Sequence, residues 1–120
     1  MSKRPDLETS DFEPPVQCID RFDVIGQRVD GGVDLVVVCS GPLDESAATL
    51  QALDLKIRGY IETSTHSHFS RTYPAALTGP VRIFVSCKYA VSSGALGLIN
   101  SLARVAEARG IELRLVESMA

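Results

Sequence analysis

Four groups of residues are of the right type and spacing to do chemistry. The first is Ser92-Ser93-Gly94, which stands ahead of the apolar, helix-like stretch "ALGLINSLARVAEARG". Open amides and the dipole at a helix start favour an anion, including a phosphate carried by a serine. The same serines serve structure equally well, because a serine N-cap satisfies an otherwise unpaired amide and contributes ~1 kcal/mol. The second group is His66 and His68 in "THSHFS", with Tyr73 further along the same stretch. In an extended segment the two imidazoles would face one way and form half a metal site. No third ligand follows nearby, so no metal site is expected. Acidic residues make the third group: Asp20, Asp23, Asp30 and Asp34 surround a turn, and Asp44-Glu45 precedes a helix. A carboxylate pair could do acid–base work, but strand edges and helix starts favour acids on structural grounds alone. The fourth is Cys18, Cys39 and Cys87, an odd number at wide spacings. Cys39 and Cys87 sit at the ends of apolar strand-like runs, the setting of small hydrophobes, and reduced thiols in the cytoplasm are the simplest account. There is no Gly-rich phosphate loop and no GxSxG elbow to support nucleotide binding or hydrolase chemistry. Neither a cofactor nor a catalytic residue is assigned at this level.

The elements that must carry these groups are legible from hydrophobic period and punctuation. Residues 1–15, with Pro5, Pro14 and Pro15, read as a flexible arm without the apolar core of a signal peptide, and 16–120 as one domain. "IDRFDVIGQRV" and "VDLVVVCS" flank Asp30-Gly31-Gly32, which predicts a β-hairpin. The run Leu35 to Cys39 is apolar throughout, the pattern of a strand covered on both faces. Asp44 or Ser46 opens a helix whose buried stripe is Leu50, Leu53, Ile57, Tyr60 and Ile61. Gln51, Asp54, Lys56 and Arg58 fall off that stripe, and Leu55 is either a satellite contact or exposed. Residues 63–80 have no period, and a connection of that length is usually functional, disordered or hides a short element. "VRIFVSCKY" alternates as a strand. Ser92 or Ser93 then starts a second helix, buried along Leu98, Ile99, Leu102, Val105 and Ala106. Gly110 stops that helix and "IELRLV" returns as a strand.

The predicted fold is α/β (α+β), in the order β-β-α-β-α-β. It has a four-stranded mixed sheet with two main helices on one face, reached by right-handed crossovers. Cover for the other face must come from residues 63–80, the arm or another subunit. At 120 residues the chain buries roughly two thirds of its unfolded surface, so it needs no metal or disulfide staple. A net charge of −3 without a basic cluster argues against nucleic acid, and no apolar run is long enough to span a membrane.

Two resemblances bear on function. Gly41-Pro42-Leu43-Asp44, with Ser92-Ser93-Gly94 and the stretch after it, resembles the paired G-x-L-D and D-S-x-G segments of STAS domains, the anti-sigma-factor antagonists. That likeness implies a phosphoacceptor at Ser92, with Val91 standing at the family's aspartate position. A broader resemblance, from about Cys18 through "CIDRFDVIG", "VDLVVVCSGPLD", "LQALDLKIRGYIE" and "GPVRIFVSCKY", is to small bacterial proteins that form a domain of unknown function. It implies a compact cytoplasmic domain and no particular activity. The functional expectation is a non-enzymatic protein-interaction or regulatory module, partnered by another protein or by a second copy of itself. The alternatives are a small-molecule binding protein or enzyme using residues 63–80 as a lid over strand ends near Ser86 to Ser93, and a STAS-like antagonist switched at Ser92.

Overall fold

The computed structural model of the chain describes Val16 and residues 22–116; the proposed arm, Cys18 and Asp20 lie outside the described residues. Four strands, β1 (Val24–Gln27), β2 (Val33–Val38), β3 (Val81–Ser86) and β4 (Glu112–Val116), form one mixed sheet in the order β1-β2-β3-β4. β1 pairs antiparallel with β2 across the expected hairpin, where Gly31 and Gly32 take φ of 103° and 97°, a region that side chains with a β-carbon rarely enter. β2–β3 and β3–β4 are parallel, as two crossover connections require.

Those crossovers are α1 (Ala47–Ser64) and α3 (Ser93–Ala108). Both connections step in the same direction across the sheet. Right-handed connections therefore place both helices on one face, and α1 and α3 pack against each other there. Val33, Leu35 and Val37 of β2 and Val81, Ile83 and Val85 of β3 point into this layer, against Leu53, Ile57, Ile99 and Leu102 of the helices. Each such aliphatic side chain contributes roughly 1.5–3 kcal/mol by leaving water. Truncating one to alanine costs ~2–5 kcal/mol.

The opposite face differs from the expectation for β2. Val36 is half-buried and Val38 is 47% exposed, so Leu35 to Cys39 is fully covered on one side and only partly on the other. A continuous apolar run does not distinguish two-sided cover from an apolar open face. The direction of the second crossover decides it.

Residues 63–80 do hide short elements. α1 runs on to Ser64; α2 (Ser67–Thr72) and a 3-10 helix at Pro74–Leu77 follow. Phe69 is the anchor: it is buried and packs on Phe22 and Tyr73 at centroid distances of 5.9 and 5.0 Å. One aromatic and two prolyl or turn boundaries produce no period over so few residues. In α3, Ala95 rather than Val105 completes the buried stripe, and Val105 is exposed; Leu55 on α1 is exposed as well.

Candidate functional site

Side chains of chemical interest gather at two places, both around the carboxyl ends of β2 and β3. At the outer one, the chain after β2 and the chain after β3 run side by side. Leu43 and Val91 form a parallel bridge, with Leu43 N–H donating to Ala90 O at 2.9 Å and Ser92 N–H to Leu43 O at 2.8 Å. This brings Gly41–Asp44 against Ser92–Gly94. Val91 is partly buried against the core, a position its apolar side chain fits.

Ser92 is the N-cap of α3: its Oγ accepts from Ala95 N–H at 3.1 Å. Ser46 does the same for α1, accepting from Thr49 N–H at 3.2 Å, and Asp44 accepts from Ser46 N–H instead of capping. Ser93 and Gly94 turn outward to a third group. Glu45 Oε2 accepts from Gly94 N–H at 2.8 Å and from Ser93 Oγ at 2.9 Å. These contacts, the Gly94 amide first and the Ser93 hydroxyl second, hold the Glu45 carboxyl below its ordinary range. The place an anion would take at this helix start is thus filled by the chain's own carboxylate.

The inner cluster lies beneath α1. Lys56 is fully buried, and its Nζ is 2.6 Å from Asp23 Oδ1. The other oxygen of Asp23 accepts from Val38 N–H at 2.8 Å. Tyr60, one turn after Lys56, accepts from Asp23 N–H at 2.8 Å and donates to Val36 O at 3.3 Å. Cys39 and Cys87 follow Val38 and Ser86, which are in register on neighbouring strands, so the two buried thiols sit side by side. Burial, and then the adjacent Cys87, push the Cys39 thiol up to about 12. A thiol held that firmly protonated is a poor nucleophile. Asp23 and Lys56 neutralise each other, so the cluster is a satisfied polar anchor joining β1, β2 and α1.

The type of residue 56 conceals this site in the sequence. Thr49, Leu53, Lys56 and Tyr60 fall at i, i+4, i+7 and i+11, a single helical face, and all four are buried. Position on the helix carried the signal. The charge on the lysine sets it among the solvent-facing residues.

The histidines do not share an extended segment. His66 is the N-cap residue of α2 without a side-chain cap bond, His68 lies in the first turn of α2, and both are exposed. They border a shallow depression of about 390 Å³ with Glu62, Thr63 and Phe69. Among the described residues no three His, Cys, Asp or Glu side chains come together to hold a metal ion. Tyr73 packs on Phe69 and ends α2. The stretch is clamped to the hairpin, with Gly32 N–H donating to Ala75 O at 2.7 Å and Ala75 N–H to Gln27 Oε1 at 3.2 Å. Those anchors sit at the amino end of β2, away from the strand ends near Ser86 to Ser93 over which the lid reading places it.

The hairpin, α1 and the later β-α-β unit together form the stretch that a family model matches, residues 15–118. The chain belongs to the family of unknown function DUF6572. The match spans every described element of this DUF6572 protein, so the anchor at Lys56 and the corner at Ser92 both fall within the family domain. No curated protein and no solved structure matches the chain, and the STAS resemblance rests on the two segments joined at Leu43 and Val91. Among the described residues no helix is long and apolar enough to cross a membrane.

Proposed function

We propose that this DUF6572 protein is a non-enzymatic interaction module whose working surface is the face of the sheet opposite α1 and α3. The observation that carries the reading is the composition of that face. Val24, Val36 and Phe84 stand in one cross-strand row, with Val38 beside them, and Val24 and Val38 are 48% and 47% exposed. The next row is charged: Asp34 accepts from Arg82 Nε at 3.0 Å, and Arg28 pairs with the same carboxylate. Arg82 also lies over the Phe84 ring at 5.4 Å. An apolar centre with a paired acid–base margin is the anatomy of a protein contact. It suits a partner that is apolar at its centre and polar at its rim.

The chemistry-bearing groups support the same reading. Glu45 fills the anion position at α3, and Lys56 and Asp23 are occupied with each other. The test is a photo-crosslinking residue placed at Val38, with one at Leu55 on the helical side as control, in cells making the protein at its native level. A discrete adduct from position 38, absent from position 55 and lost with Val24→Asp, is the expected result. Equal adducts from both positions, or none from position 38, would overturn the reading.

A further inference from the structure

Among the described residues β4 ends the sheet, and its pairing with β3 identifies the backbone groups that face outward. In a parallel ladder each residue directs its N–H and C=O to the same side, and successive residues alternate. Val116 O accepts from Cys87 N–H at 2.9 Å, so Val116, Arg114 and Glu112 face β3. Leu113 and Leu115 therefore present their N–H and C=O at the outer edge. Ile111 N–H is taken up by Ala106 O at 2.9 Å in the α3 C-cap, which leaves the Ile111 carbonyl. Beside this edge, Ala103, Glu107, Gly110, Ile111 and Leu113 line a groove of about 390 Å³ between α3 and β4.

The side chains on this edge are complementary to themselves. Glu112 and Arg114 flank Leu113 on the open face of the sheet, where they pair with each other along the strand. Pairing β4 antiparallel with a second β4 about Leu113 sets Leu113 opposite Leu113. Glu112 then stands opposite Arg114, and Ile111 opposite Leu115. In this register Leu113 exchanges both of its outward backbone bonds with its counterpart, and Leu115 N–H finds the Ile111 carbonyl. The two Glu112–Arg114 contacts fall at closely spaced, non-hydrogen-bonded positions, where opposite charges favour pairing. A shift of one residue would present backbone groups already bonded to β3, and would set Leu113 against a charged residue.

We propose that the protein forms a two-fold dimer through β4, antiparallel and centred on Leu113, making one eight-stranded sheet. The axis is perpendicular to the sheet, so all long helices share one face and each groove beside β4 receives leucines of the other copy. The inference rests on the β4 edge alone and does not require the interaction surface proposed above.

Analytical ultracentrifugation of the full chain and charge-reversal variants tests it. The wild type is expected to dimerise with rising concentration. Glu112→Arg and Arg114→Glu each place like charges opposite one another twice. Each should be monomeric where the wild type is dimeric, while keeping the circular dichroism spectrum of the folded chain. The double variant Glu112→Arg/Arg114→Glu should dimerise again, and an equimolar mixture of the two single variants should give a heterodimer. Val38→Glu should leave the dimer intact. A wild type monomeric at every concentration, a dimer that survives Glu112→Arg, a mixture that stays monomeric, or a dimer lost with Val38→Glu would each overturn the proposal.

Discussion

Lys56 Nζ lies 2.6 Å from Asp23 Oδ1, with the lysine side chain wholly buried and the aspartate 19% exposed. The asymmetry in burial predicts an asymmetry between the two deletions. Asp23→Ala takes this carboxylate away from a buried ammonium and releases Val38 N–H, and should cost on the order of 3 kcal/mol. Lys56→Met leaves a carboxylate that water can reach, fills the same volume, and should cost clearly less. Urea unfolding of both variants checks the order; equal losses would mean that the pair does not act as a buried ion pair.

Ser92 and Ser93 are adjacent but hold different partners. Ser92→Ala removes the cap on Ala95 N–H and should cost ~1 kcal/mol, while Ser92→Asp, also a good cap, should preserve most of the stability. Ser93→Ala should cost less than Ser92→Ala, since Ser93 is exposed and bonds Glu45 instead. Thermal melts of the three variants decide whether Ser92 is the cap.

The Glu45 carboxyl sits below its ordinary value of 4.5 in the fold. A depressed folded-state value means that its contribution is present above about pH 4.5 and is lost as pH falls through the lower folded value. Glu45→Gln should therefore narrow its stability difference from wild type on acidification. Melting temperatures between pH 3 and 7 (roughly the range over which a carboxylate titrates) provide the measurement. A constant difference would remove the Glu45 link to Gly94 as its cause.

Cys39 and Cys87 should resist thiol reagents. In a Cys18→Ser background, both should react only when urea unfolds the chain, because burial keeps the Cys39 thiol protonated up to about 12. The raised value also means that the Cys39 contribution to stability is complete below 9.0 and lost as pH rises toward 12. Reaction of either thiol in the native protein at the rate of a free cysteine would contradict the packing at these strand ends.

Two glycines separate backbone strain from steric crowding. Gly110 has φ 76° and open space where a β-carbon would go, so Gly110→Ala should lose ~1 kcal/mol from conformation alone. A β-carbon on Gly79 would sit 2.6 Å from backbone atoms of Gly31 and Gly32, so Gly79→Ala should cost considerably more. Chemical denaturation of the two variants gives the comparison, and similar losses would count against the close approach of residue 79 to the hairpin.

The strands, the two long helices and their punctuation were readable in the sequence because each is set by local rules. Gly31 and Gly32 break the hairpin, serine opens each long helix, Gly110 ends α3, and apolar period identifies Leu53, Ile57, Ile99 and Leu102 as core. Family membership likewise follows from residues 15–118 in linear order. What the tertiary structure alone decided depends on contacts between residues far apart in the chain. Glu45 reaches Gly94 across 49 positions, and Lys56 reaches Asp23 across 33. The charge of Lys56 argues for solvent until Asp23 is brought beneath α1 to neutralise it. The exposure of Val38 follows from the direction of the crossovers, which no residue in β2 encodes. Local periodicity specifies which face of an element is apolar; only chain topology specifies which faces meet.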